Sequence, residues 1–224
     1  MAISLKRTGD VSVNGVKMLV YGTAGAGKTT LIRTLPKPII LSAEAGLLSL
    51  SGSDIPYIEI GSMTDLMEAY EWLSAPEGLT YETVCLDSIS EIAEVVLASE
   101  KAASKDPRQA YGAMQDKMAD LIRAFRDLPG RHVYITAKLE QSKDELGRMM
   151  FYPSAPGQKT PQALPYFFDE VFALRVERGD DGTPYRALQT GPDGIWIAKD
   201  RSGRLEMWEE ADLGAIIRKI KGEV

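Results

Sequence analysis

Residues Val16–Thr30 read V-K-M-L-V-Y-G-T-A-G-A-G-K-T-T, and this stretch decides the fold. Val16–Tyr21 is a short apolar run, too brief for a helix and without clean alternation, as expected of a strand covered on both faces of a parallel sheet. It runs straight into Gly22-Thr-Ala-Gly-Ala-Gly27-Lys28-Thr29-Thr30, the full pattern G-x-x-x-x-G-K-[ST]. The glycines let the backbone curl until successive N–H groups point into one hollow and bind phosphate oxygens. Lys28–Leu35 is expected to be a helix whose positive N-terminal end faces the same anion. Lys28 reaches the β- and γ-phosphates, and the Thr29 hydroxyl is a ligand for magnesium. The phosphate-binding set is therefore Gly22, Thr23, Ala24, Gly25, Ala26, Gly27, Lys28, Thr29 and Thr30, and the expected ligand is a nucleoside triphosphate with Mg2+.

Outward from this loop, short branched apolar runs recur at Pro38–Ser42, Thr83–Leu86 and His132–Ala137. Helical periodicity lies between them, at Met63–Leu73, Ile89–Ala103 and Gln109–Leu128, with a break near Asp106-Pro107. Alternating strands and helices predict an α/β fold with a mostly parallel, doubly wound sheet. Lys138–Pro165, with its glycines, prolines and scattered charges, reads as a long surface loop, in part a hairpin. Glu170–Glu177, Tyr185–Thr190 and Gly194–Ala198 read as strands joined by turns at Asp180-Asp181-Gly182 and Pro192-Asp193-Gly194, an antiparallel extension at the C-terminal end. Ala211–Ile220 closes the chain as a helix with Leu213, Ile216, Ile217 and Ile220 on one face.

With 224 residues, no internal repeat and no low-complexity linker, residues 1–224 are expected to form a single domain. Cys85 is the lone cysteine, so no disulfide forms within the chain, and its apolar setting suits a reduced core thiol. No apolar stretch approaches membrane-spanning length, and Met1–Asp10 lacks the apolar core of a signal peptide, which points to the cytoplasm. The net charge of −6 argues against a surface that is basic throughout but leaves room for a local basic groove.

Four further constellations bear on chemistry. Asp87 ends the run Thr83–Leu86, where the acid of a P-loop enzyme holds magnesium; it also suits the N-cap of the helix that follows. Glu44, just after Pro38–Ser42, falls at the carboxyl edge of the sheet, where a carboxylate orients and deprotonates the attacking water, and Glu91 is its rival. Lys199-Asp200-Arg201 reads either as a solvated charged turn or as two fingers reaching the γ-phosphate of a neighbouring subunit. Thr136 and Lys138 end a strand beside the loop, where they either sense the γ-phosphate or simply begin the next loop. His132 is the sole histidine and opens a buried strand, so packing is its expected role; one Cys and one His make a zinc site implausible.

The order of these pieces resembles the phage-encoded RecA-core ATPases of the single-strand annealing and recombination group. The resemblance rests on the P-loop, the acid after the next strand, Asp87-Ser88, the Tyr111-Gly112 helix with its Leu128-Pro129 turn, Phe168-Asp169-Glu170-Val171, and Ala198-Lys-Asp-Arg-Ser-Gly203. It implies a RecA-like P-loop core that hydrolyses ATP with Mg2+, Lys28 over the phosphates, Thr29 and Asp87 on the metal and Glu44, not Glu91, as the water-activating acid. Lys199 and Arg201 match the K-x-R finger that acts across a subunit interface, so it also implies a homo-oligomer, ring or filament. Single-stranded DNA is the implied partner, with a single-strand-binding protein as another, in the cytoplasm of a bacterial host. The matching DNA loops are about Ser104–Tyr111 and Lys138–Pro165, carrying Lys105, Arg108, Lys138, Lys143, Arg148 and Lys159, with Phe151 and Tyr152 as stacking rings. Two departures stand out: no separate DNA-binding domain precedes the first strand, and Thr136-Ala-Lys138 replaces the glutamine-bearing triplet typical of RecA. The alternative class is an oligomeric ATP-driven regulatory or packaging-associated switch that grips protein rather than DNA.

Overall fold

A computed structural model describes residues 15–44, 46–155 and 163–223. Its centre is one sheet in the order β10-β8-β7-β1-β5-β4-β2-β3. The strands are β1 (Lys17–Gly22), β2 (Pro38–Ser42), β3 (Tyr57–Glu59), β4 (Thr83–Asp87), β5 (His132–Lys143), β6 (Met149–Pro153), β7 (Glu170–Arg178), β8 (Pro184–Gln189), β9 (Lys199–Asp200) and β10 (Trp208–Glu210). Every pairing from β7 through β1, β5, β4 and β2 to β3 is parallel. β8, β9 and β10 add antiparallel pairings beside β7. The expected α/β class, a mostly parallel sheet with an antiparallel C-terminal extension, is borne out. Inserting β5 between β1 and β4 separates the glycine loop from the Asp87 strand by one strand, which opens a crevice above β5.

Side chains of β1 alternate between two cores. Leu19 and Tyr21 face a cluster covered by α1 (Met63–Ser74), α2 (Ile89–Ala103) and α3 (Pro107–Arg126). Met18 and Val20 face a second cluster under α4 (Leu213–Lys221). Both faces are apolar because both are covered, which is why these strands show no polar alternation. The helices start where the sequence supplies caps: the side chains of Ser88, Asp106 and Asp212 each accept a backbone N–H of the following turn. Leu213, Ile216, Ile217 and Ile220 pack the inner face of α4, and Gly222 ends it at φ +74°. Cys85 lies fully buried in β4.

Three elements differ from the sequence reading. The stretch after the glycine loop is a 3₁₀-helix, Thr29–Thr34, not an α-helix through Leu35. Pro36 forces Leu35 into extended backbone (φ −82°, ψ 146°), which leaves no room for a second α-turn. Residues after Ala137 do not leave the sheet: β5 runs on to Lys143 and pairs antiparallel with β6, so much of the expected loop is a hairpin. Its turn is closed by Asp144, whose carboxylate accepts the N–H groups of Leu146 and Arg148, with Gly147 at φ +78°. Gly194–Ala198 is not a strand; Trp196 makes a single bridge to Phe151. Asp193 explains why, since its side chain accepts the N–H groups of both Ile195 and Trp196 and holds them in a turn.

Candidate nucleotide site

The carboxyl ends of β1, β2, β4 and β5 surround a cleft of about 890 Å³, lined by the glycine loop with Glu44, Asp87, Lys138, Gln141 and Arg186. Gly25 and Gly27 have φ of +76° and +104°, values that favour glycine and turn the loop around the hollow. Gly22 is needed for another reason: a Cβ there would sit 2.6 Å from the Leu174 carbonyl oxygen of β7. The loop is anchored from below by the buried Tyr134 hydroxyl, which donates to the Lys28 carbonyl at 2.7 Å.

At the tip of the loop the Thr29 hydroxyl donates to Asp87 Oδ2 at 2.7 Å. The other Asp87 oxygen accepts the hydroxyl of the fully buried Thr136 at 2.5 Å. Two hydroxyls, Thr29 at the start of the 3₁₀-helix and Thr136 on β5, therefore fix the carboxylate's orientation, as outer partners do around a metal ligand. Among the described residues no group of three or more His, Cys, Asp or Glu is arranged to hold a metal. A hydroxyl and one carboxylate do fit magnesium, a hard cation that takes one or two protein oxygens and completes its shell with phosphate and water.

The Lys28 ammonium donates to the carbonyls of Gly22 (2.9 Å) and Thr23 (3.0 Å). Burial pushes its pKa below the ordinary lysine value, while Asp87 and Glu44 pull the other way. Glu44 lines the cleft and its Oε1 accepts the Ser88 hydroxyl at 2.5 Å. Glu91 instead pairs with Lys138 across the cleft's outer rim. That ion pair is the main reason the Lys138 pKa stands above its usual value. The two candidate acids are thus distinguished by their neighbours: a hydroxyl holds Glu44 and a cation occupies Glu91.

Lys199 and Arg201 lie elsewhere. β9 pairs with the first residues of β7, and Glu170 of β7 stands level with Met18 of β1, whereas the loop begins at Gly22. The pair therefore sits at the amino edge of the sheet, roughly 13 Å below the chain's own glycine loop at about 3.3 Å per residue. The Lys199 ammonium donates to the carbonyls of Pro165 (2.8 Å) and Phe168. Arg201 is exposed and pairs with Asp169 at 2.6 Å. Between them in the ladder, Glu170 is buried opposite Asp200; burial, and then the Asp200 carboxylate, push its pKa up to about 8.

Of the residues expected to touch DNA, Lys105 is exposed between α2 and α3, and Arg108 begins α3, so Ser104–Tyr111 forms a tight helix junction, not a loop. Lys143 is exposed on the hairpin, and Arg148 is tied to Asp144 at 2.8 Å. The Phe151 ring stacks on Trp196 with centroids 4.3 Å apart, and the Tyr152 hydroxyl donates to Glu140 at 3.4 Å. Lys159 lies outside the described residues. His132 packs at a strand edge, where its Nδ1 accepts the Val16 N–H at 3.0 Å. Arg186 and the Ser88 contact to Glu44 escape sequence reasoning. Nothing local marks Arg186; the antiparallel return of β8 beside β7 carries it to the loop.

A glycine loop between a buried parallel strand and a helical turn, with a hydroxyl–carboxylate pair at its tip, defines a P-loop nucleoside triphosphate site. The family model described as AAA domain (AAA_24) matches residues 14–202, and the chain belongs to that family of P-loop ATPases. A curated relative, the tRNA modification GTPase MnmE of Cytophaga hutchinsonii, is 30% identical over 169 residues, covering 65% of this chain. The match spans 36% of that protein. Among solved structures, a KaiC-like protein of Pyrococcus horikoshii aligns with TM-score 0.42 and 12% identity, covering 78% of this chain and 77% of its own. No described helix is long and apolar enough to cross a membrane.

Proposed function

We propose that this chain hydrolyses ATP with magnesium at the Gly22–Thr30 cleft and uses the cycle, as a homo-oligomer, to bind single-stranded DNA and promote annealing and recombination, in phage DNA metabolism. The observation that carries the ATPase reading is the Thr29 hydroxyl resting 2.7 Å from Asp87 Oδ2, two hard oxygen donors side by side at the end of a phosphate loop. When bound there, magnesium neutralises charge on the β- and γ-phosphate oxygens. The chain's own residues do the rest. Lys28 leaves the Gly22 and Thr23 carbonyls for phosphate oxygens, which the loop N–H groups also bind. Glu44, held through Oε1 by Ser88, takes a proton on its other oxygen from water as that water bonds to the γ-phosphorus and the bond to ADP breaks. Arg201, exposed and held by one surface ion pair, is the finger free to reach a neighbour's γ-phosphate. Lys199, anchored to two carbonyls of its own chain, holds the finger's base. Phosphate release with and without Mg2+, for the wild type and Asp87→Ala, tests the ATPase; Mg2+-independent turnover, or an unaffected variant, refutes it.

DNA binding is supported by the resemblance and by the hairpin of β5 and β6, which carries Lys143 and Arg148 beside its turn. One observation favours the second reading, an oligomeric regulatory or packaging-associated switch acting on protein. Arg148 and Lys138 are each paired with a carboxylate, and Phe151 is covered by Trp196, which withdraws two of the charges and one of the rings that a DNA surface would use. A mobility shift with a single-stranded oligonucleotide at low salt, with and without ATP, separates the two. Absence of a shift in both, with ATPase indifferent to DNA, selects the protein-acting switch.

A further inference from the structure

Asp87 and Glu44 stand on one flank of the glycine loop, at the ends of β4 and β2. On the other flank, beyond β7, β8 brings Arg186 to the same cleft. Its Nε donates to the Ala26 carbonyl of the loop at 2.7 Å. Gly27 makes the approach possible: a Cβ there would lie 2.8 Å from Arg186 Nε. Among the described residues no carboxylate lies within 4.0 Å of the guanidinium, whereas Lys138 on the same cleft is paired with Glu91. An arginine whose Nε is fixed to a phosphate-binding loop presents its two terminal nitrogens as a rigid fork, a geometry that suits phosphate.

We infer that Arg186 is a nucleotide-binding residue acting within its own subunit, on the α/β-phosphate end of the ligand and not on the transferring γ-phosphoryl. The inference rests on the triphosphate reading of the loop. The Thr29–Asp87 pair and Glu44 mark the γ end, so the remainder of the nucleotide leaves the loop on the side where Arg186 stands. A contact there forms equally with di- and triphosphate and with the transition state, and so lowers Kd and KM without raising kcat.

The test is titration of wild type, Arg186→Ala and Arg186→Gln with fluorescent ADP and with a non-hydrolysable fluorescent ATP analogue, alongside steady-state turnover and thermal melts. Arg186→Gln retains an N–H donor for Ala26 but no charge, and the exposure of Arg186 makes both variants compatible with folding. The expected result is that both variants bind ADP and the triphosphate about 10-fold or more weaker, by similar factors, with kcat at saturation within about 2-fold of wild type. Unchanged affinity for both ligands overturns the inference. So does a lower kcat with unchanged affinity, which puts Arg186 on the γ-phosphate, and so does full recovery of binding in Arg186→Gln, which makes it a brace for the loop. Failure of the wild type to bind either nucleotide refutes instead the triphosphate reading on which the inference stands.

Discussion

Thr136→Val removes one atom group from the least exposed part of the site and has a magnitude that follows from its surroundings. The Thr136 hydroxyl is fully buried and donates to Asp87 Oδ1, and valine has nearly the same shape, so no cavity is created. Losing a hydrogen bond to a charged acceptor costs about 1.5–3 kcal/mol. The added methyl recovers part of that, about 0.8 kcal/mol at most. The net loss is about 1–2 kcal/mol, and at roughly 2–4 °C per kcal/mol for a chain of this size the melting temperature falls by roughly 2–8 °C. Asp87 also loses one of the two hydroxyls that aim it, and removal of an outer partner of this kind lowers metal affinity about 10-fold or more. Thermal unfolding by circular dichroism at pH 7 and the Mg2+ dependence of ATP turnover measure the two effects on the same samples. A variant that melts within about 1 °C of wild type and keeps its Mg2+ half-saturation, where a shift of about 10-fold is expected, refutes the view that Thr136 orients Asp87.

Lys28→Ala is expected to lose nucleotide binding and turnover together, measured by nucleotide titration and phosphate release, because the ammonium meets the phosphates in ground and transition states alike. Arg201→Ala should abolish hydrolysis while nucleotide affinity stays near wild type; the ion pair it breaks is exposed and contributes under about 1 kcal/mol, so melts should barely move. Mixing it with Lys28→Ala should restore partial turnover if the finger acts on a neighbour, and no recovery in mixed samples counts against a finger in trans. Glu170, with its pKa pushed up to about 8, keeps its proton in the folded chain and loses it in the unfolded chain above pH 4.5. Its contribution is therefore complete at acid pH and is lost as pH rises toward 8, by about 1.4 kcal/mol per unit. The melting temperature of wild type should fall more steeply than that of Glu170→Gln between pH 5 and 8, and parallel curves would show that Glu170 is not held neutral.

Much of the central sheet was legible because its strands announce themselves as apolar runs capped by polar punctuation. Pro38–Ser42 matches β2 end to end, and Ile89–Ala103 matches α2, where Ser88 supplies a cap readable from sequence. That Thr29, Asp87 and Glu44 line one cleft was legible for a topological reason: each lies at or just beyond the end of a parallel strand, and parallel strands end on one edge. The missed features depend on partners distant in sequence. The extension of β5 beyond Ala137 becomes favourable only once β6 returns to pair with it, because Lys138–Lys143 has no apolar pattern of its own. The failure of Gly194–Ala198 as a strand hangs on the Asp193 side chain capturing two N–H groups, a competition that β propensity does not express. Arg186 is invisible for the same reason, since its position is a property of sheet order and not of its neighbours in the chain.

β5 has a consequence of a mechanical kind. Its residues His132–Ile135 are clamped between β1 and β4, while Leu139–Lys143 pair with β6, whose Phe151 is bonded in turn to the backbone of Ile195 and Ile197 and to the Tyr21 hydroxyl of β1. At about 3.3 Å per residue the strand is some 40 Å long, with Lys138, Leu139 and Gln141 on the wall of the cleft. Thr136, one residue beyond that clamp, carries the Asp87 contact. A displacement of the hairpin would act on the same backbone that aims Asp87.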